Sequence, residues 1–151
     1  MIIGIDPGIS GALALLDDDG QLVDVKDMPI MAGTGKRQQI NGAELSKMLI
    51  SMSHDVSGAY LEHVSAMPKQ GVSSMFSFGM SYGIVLGILA ALQIPVLLVT
   101  PRAWKKRAGL EKKEKDACRT LMQQLYPAAP LGRKKDIGRA DAIAIARFGK
   151  G

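Results

Sequence analysis

Three acidic residues stand where a carboxylate interrupts apolar sequence. Asp6 closes the run "MIIGID" and is followed by Pro7 and Gly8, Glu62 closes "GAYLE", and Asp141 lies in "RADAIAIARF" with Ile145 and Phe148 at i+4 and i+7. The first two read as carboxyl ends of strands, and the third as the polar top of an apolar helical stripe. If the two strands are parallel neighbours, Asp6 and Glu62 meet at one edge of the sheet, where α/β sheets place their sites. The stripe faces the sheet and brings Asp141 to the same place. Carboxylates gathered on a semi-buried spot repel one another and are costly to desolvate unpaired. Hard divalent cations resolve that conflict. Mg²⁺ takes oxygen ligands and keeps waters for substrate phosphates. Two such ions about 3.5–4 Å apart activate a water and steady the leaving oxygen in phosphodiester cleavage.

Each acid also has a plain reading. Asp6 is a turn former before Pro-Gly, or part of a phosphate loop. Glu62 is a solvated strand end. Asp141 is an acid near a helix N-terminus, favoured there by the dipole. Only the set of three is informative, and its convergence depends on the elements that carry it.

Those elements are read as follows. "MIIGID", "GALALLD" and "GQLVDVKDM" are three strands, with "DDDG" as a hairpin turn. "MAGTGKRQQIN" is a polar loop. Asn41, with Glu44 three residues on, is a capping box that opens a helix with Leu45, Met48 and Leu49 on its apolar stripe. "GAYLEHV" is the fourth strand, and Val72 to Leu92 is mostly a buried helix. "PVLLV" is a fifth strand, buried on both faces because it lacks alternation. Thr100-Pro101 starts a further helix. "EKKEKDACRTLMQQLY" is an amphipathic helix, "LGRKKDIG" a basic loop, and "RADAIAIARF" the last helix. Crossover helices make the first, fourth and fifth strands parallel. The expected architecture is α/β: a mixed five-stranded sheet, three strands antiparallel and two added in parallel, flanked by helices. Its 151 residues favour one domain, 1–151.

The net charge is +5, and 12 of the 19 basic residues fall between Arg102 and Arg139. That third of the chain is the expected contact surface for a polyanion. No residue from Gln70 to Pro101 is charged. Its glycines, serines and Pro95 favour a buried helix and a strand over a membrane span. The single cysteine, Cys118, forms no internal disulfide. With no basic n-region ahead of the first apolar run, a cytoplasmic location is expected.

"GIDPGISGALALL", "LEHV", "KQGVSSMFSFGMSYG", "TPRAWKK" and "GRADAIAIA" together resemble RuvC-type Holliday junction resolvases, particularly short phage forms. The resemblance covers nearly the whole chain. It implies the RNase H-like fold, a homodimer, and Mg²⁺-dependent nicking of four-way DNA junctions, with Mn²⁺ able to substitute. By position, Asp6, Glu62 and Asp141 match three of the family's four acidic metal ligands. The fourth position is Gly138 here, and Asp136 is the nearest substitute. The aromatic wedge of bacterial members falls on Ser65, with Met67, Phe76 or Phe78 as stand-ins. Lys105 and Lys106 resemble family lysines near the scissile phosphate, Lys105 being taken as catalytic. The remaining expected DNA contacts are Lys69, Arg102, Arg107, Lys112, Lys113, Arg133, Lys134, Lys135 and Arg139. Trp104 is expected to anchor its loop on the core.

Gly79, Gly83 and Gly87 repeat at i+4 on the uncharged helix, a stripe that packs on the sheet or forms a dimer face. Competing readings are a nuclease of the same fold trimming structured RNA, and a DNA-junction-binding module with a weakened site. An actin-like or sugar-kinase ATPase is disfavoured, because this length leaves no room for a second lobe.

Overall fold

In a computed structural model describing Met1–Gly151, the sheet has strand order β3-β2-β1-β6-β7. Its strands are β1 (Ile2–Asp6), β2 (Ala12–Leu16), β3 (Leu22–Asp27), β6 (Gly58–Glu62) and β7 (Val96–Val99). β1, β2 and β3 pair antiparallel, and β6 and β7 add in parallel beside β1. This is the mixed sheet the sequence predicts. Helix α1 (Gly42–Met52) lies on one face, with α2 (Val72–Ala91) packed against α1. α4 (Ala117–Leu125) and α5 (Ile137–Phe148) cover the other face, and α3 (Pro101–Arg107) follows β7 and packs on α5.

Alternation along the strands divides the core. Ile3, Ile5, Leu13, Leu15 and Leu61 face α1 and α2. Ala12, Ala14 and Leu16 face α5. The α5 side is built for close approach: a Cβ on Gly4 would collide with the backbone of Ala142 and Ala146. The alanine-rich face of α5 therefore lies directly on β1, fixing Asp141 relative to the strand that ends in Asp6. The expected caps are present. The Asn41 side chain accepts from Glu44 N–H, and the Thr100 side chain accepts from Ala103 N–H, with Pro101 in the first turn of α3.

Four expectations need correction. The "MAGTGKRQQIN" segment is not wholly loop, because β4 (Ile30–Ala32) and β5 (Gln38–Ile40) pair as a separate hairpin. The "PVLLV" strand is not buried on both faces. β7 is an edge strand whose Val96, Leu97 and Leu98 are exposed. Helix α2 is not buried within the chain either: only Ser81, Val85 and Leu89 are fully covered, with Tyr82, Ile84, Leu86 and Ile88 half-buried against the core. Its length and apolar composition would suffice to cross a membrane. The 111–126 helix starts only at Ala117, because Gly109 and Lys112 adopt positive φ (70° and 57°) and hold the preceding residues in turns.

Candidate active site

Even-numbered residues of β1 face α5, so Asp6 at the strand's end points to the same side as Gly4. In β6, Tyr60 contacts Gly149 beyond α5, which puts Glu62 on that side too. Asp141, one turn into α5, completes the group. The three carboxylates act on one another: Asp6 and Asp141 both raise Glu62, and Asp6 raises Asp141.

Burial is the largest cause in each case. It raises Asp6, and it carries Glu62 to about 7 and Asp141 to about 6 against the neighbouring charges and hydrogen bonds that lower them. The Gly8 N–H donates to Asp6 Oδ1 at 3.2 Å and holds that carboxylate where Pro7-Gly8 ends the strand. The Cys118 thiol lies against Asp141, and burial pushes the thiol well above its ordinary range. It is therefore a neutral donor and no reactive thiolate.

Trp104 does more than anchor its loop. It is fully buried, and its indole N–H donates to Glu62 Oε2 at 2.7 Å across 42 residues of sequence. No spacing rule exposes that contact. The only sequence signal was a lone tryptophan beside Lys105.

Lys105 lies beside the acids. Its ammonium lies 5.3 Å from the Trp104 ring centroid, and its charge lowers the pKa of all three acids. Lys115, which the sequence reading passed over, also acts on Asp141. It lines a cleft of about 680 Å³ that opens on Asp6 and Asp141, together with Arg133, Lys134 and Lys135.

The other expected residues divide into two groups. Lys69, Arg102, Lys106, Lys112 and Lys113 are exposed, as are Lys134 and Lys135 on the cleft wall. Arg107 donates to the carbonyls of Phe148 and Gly149, which ties α3 to the end of α5. Arg139 forms a bidentate pair with Asp27, with Nε 2.7 Å from Oδ1. Those two guanidiniums therefore hold the fold.

Asp136 is likewise engaged. It is buried and accepts from the backbone and guanidinium of Arg133, with Nη2 2.7 Å from Oδ1, and these bonds hold its pKa at about 2. It lines the same cleft as Asp6 and Asp141, with its carboxylate engaged by Arg133. Gly138 explains why the fourth acid is missing: a Cβ there would collide with the Ser10 carbonyl.

The acids are all oxygen donors, half-buried, mutually repelling and proton-hungry, which suits a hard divalent cation with its own waters. They do not close into a ready-made cage of three ligands. One Glu62 oxygen is engaged by Trp104, and the other is left for a cation.

No protein-family model matches the chain. A curated relative, the chloroplastic Holliday junction resolvase MOC1 of Chlamydomonas reinhardtii, is 35% identical over 95 residues. That stretch is 61% of this chain, but the chain spans only 11% of that protein's length. Among solved structures, Thermus thermophilus RuvC in complex with a Holliday junction substrate superposes with a TM-score of 0.70 at 17% identity, covering 97% of this chain and 90% of that one. The fold is that of RuvC. A second T. thermophilus RuvC structure gives 0.59 at 17% identity, covering 97% and 91%. The yeast mitochondrial Holliday junction resolvase Ydc2 gives 0.51 at 18%, covering 97% and 76%. In the RuvC-type, RNase H-like frame the acids occupy the carboxyl edge of the central parallel pair β1–β6, the position expected from the sequence.

Proposed function

We propose that the chain is a divalent-metal-dependent endonuclease that nicks branched DNA, with the four-way junction as its substrate. The observation that carries this reading is the meeting of Asp6, Glu62 and Asp141 at one sheet edge, beside Lys105 and next to a cleft whose lining includes Lys115, Lys134 and Lys135. The RuvC-type fold and the partial identity to a curated junction resolvase support it.

Asp6, Glu62 and Asp141 would hold the metal, two Mg²⁺ ions or Mn²⁺ in their place. A bound divalent cation supplies charge stabilisation and an activated water at neutral pH. The chain's own residues set the rest. Gly8 N–H and Trp104 Nε1–H each fix one carboxylate, so the acids are oriented before substrate arrives. Lys105 places a cation beside the acids, where negative charge grows on the phosphate. Lys115, Lys134 and Lys135 bind the backbone leading to it.

The glycine stripe of α2 is the proposed homodimer face. A Cβ at Gly79, Gly83 or Gly87 would meet nothing within 4 Å. A two-fold dimer presents two sites to the two strands of a symmetric junction.

The test is a cleavage panel of four-way, three-way, flap and linear DNA, with structured RNA alongside, in Mg²⁺. Wild type should nick the four-way junction, and Asp6→Asn should abolish nicking while DNA binding survives. Undiminished cleavage by Asp6→Asn overturns the reading. One observation favours a second possibility, a junction-binding module with a weakened site. Asp136 is spent on Arg133, and Gly138 admits no side chain, so the site has three free acids rather than four. Calorimetry with Mn²⁺ separates the two readings, since only the nuclease should bind it in the carboxylate site.

A further inference from the structure

Helix α2 and the β4–β5 hairpin face each other across a second cleft of about 370 Å³. Gly8 and Ile9, in the loop that follows Asp6, line both this cleft and the larger one that opens on Asp6 and Asp141. The two clefts therefore adjoin at that loop, with Asp6 and Asp141 on the side of the larger one. Arg37, on the hairpin, lines the second cleft opposite Gln70, Ser74 and Ser77. It also lines a further hollow of about 320 Å³ between the hairpin and Phe76, so the trough continues away from the acids.

The charge of the walls is one-sided. Neither Met28–Ala43 nor His63–Leu110, the segments that supply the hairpin and α2, contains an aspartate or glutamate. Arg37 is the only charged residue lining either of these two hollows, and it is exposed. Hydroxyls and amides with one guanidinium and no competing acid are the donor set that phosphate oxygens and sugars use. Phe76, 73% exposed at the far end, offers a flat apolar face on which an unpaired base stacks.

We propose that this trough binds the nucleic-acid strand on the far side of the cleaved bond, with Arg37 as its phosphate contact and the serine face of α2 as its floor. The strand enters over Lys115, Lys134 and Lys135, passes the acids, and leaves between hairpin and helix. This rests on the endonuclease reading and adds a binding subsite to it. The "MAGTGKRQQIN" segment, expected only as a polar loop, becomes one wall of the substrate path.

The experiment measures binding of a fluorescein-labelled four-way DNA junction by anisotropy, in EDTA so that no cleavage occurs, across a salt series. Arg37→Ala should weaken binding roughly tenfold and flatten the salt slope by about 0.7–0.9, the loss of one phosphate contact. Arg37→Lys should restore most of the slope. Lys150→Ala, at the opposite end of α5 from Asp141, should match wild type. A photo-cross-linker on Ser74→Cys should mark nucleotides adjacent to the nick made in Mg²⁺. Because Arg37 and Ser74 are exposed, these variants should fold, as a melting curve checks. If wild type binds and nicks the junction but Arg37→Ala keeps its affinity and slope, the trough is overturned and the endonuclease reading stands. Cross-links confined to distant junction arms overturn the trough as well. A wild type that neither binds nor nicks the junction overturns both.

Discussion

Glu62 shows how little of a site lies in its acids alone. A carboxylate with a pKa near 7 is half protonated at neutral pH unless a cation or a donor holds the charged form. The Trp104 indole is that donor inside the chain. Trp104→Phe keeps most of the buried ring and removes the N–H, leaving Glu62 buried with one bond fewer. The expected cost is about 1–3 kcal/mol of stability and a 10- to 100-fold loss of metal affinity or nicking rate. Thermal melting and single-turnover nicking at several Mn²⁺ concentrations check both. If the loss is structural only, excess Mn²⁺ will not recover the rate. If Trp104 orients Glu62, excess Mn²⁺ will recover part of it. At this scale the sequence singled out Asp6, Glu62 and Asp141, because each marks the end of a strand or a break in an apolar pattern, and Lys105 only through its match to the RuvC-type pattern. It missed the partners. The Trp104–Glu62 bond, the Cys118–Asp141 contact and the Arg133–Asp136 pair depend on tertiary placement or on a turn that residue types alone do not specify.

At the scale of elements, periodicity resolved those with a covered face and misjudged those without one. β1, β2, β6 and α5 were recognised because burial imposes a pattern on them. β7 and α2 were expected to be buried because continuous apolar sequence looks the same whether its cover comes from the same chain or elsewhere. The β4–β5 hairpin escaped because its three-residue strands are held by backbone pairing and have no alternation to detect. Helix α2 carries the element-scale prediction. Gly83 has open space around it, so Gly83→Leu should fit the isolated chain, and glycine's helix penalty of about 1 kcal/mol is relieved. The same side chain should separate two helices packed through their glycine stripes. Sedimentation equilibrium should show a wild-type dimer and a Gly83→Leu monomer of unchanged helicity by circular dichroism. A variant that stays dimeric would place the dimer face elsewhere.

The whole molecule carries the energetic consequence of gathering acids. Burial is the main reason that Glu62 sits at about 7 and Asp141 at about 6, with Asp6 raised as well. A raised acid pKa means the folded protein binds the proton more tightly than the unfolded chain. The stability from this source is fully present below the unfolded values near 4 and is lost as pH rises through 6 and 7. At about 1.4 kcal/mol per pKa unit, reduced because the groups are part-exposed, the metal-free protein should be weaker by a few kcal/mol at pH 8 than at pH 5. Asp136 works the other way. Arg133 holds it at about 2, so its contribution is present above pH 4 and is lost only as pH falls toward 2. Metal-free melting temperature should therefore peak near pH 4–5 and fall toward pH 8. Glu62→Gln should flatten that fall, because its side chain has no proton to lose. A divalent cation takes the place of those protons, so Mg²⁺ or Mn²⁺ should raise the melting temperature more at pH 8 than at pH 5. A melting temperature that rises from pH 5 to pH 8 without metal, in wild type and Glu62→Gln alike, would mean that the acids are not a strained cluster and that the site is not built around a cation.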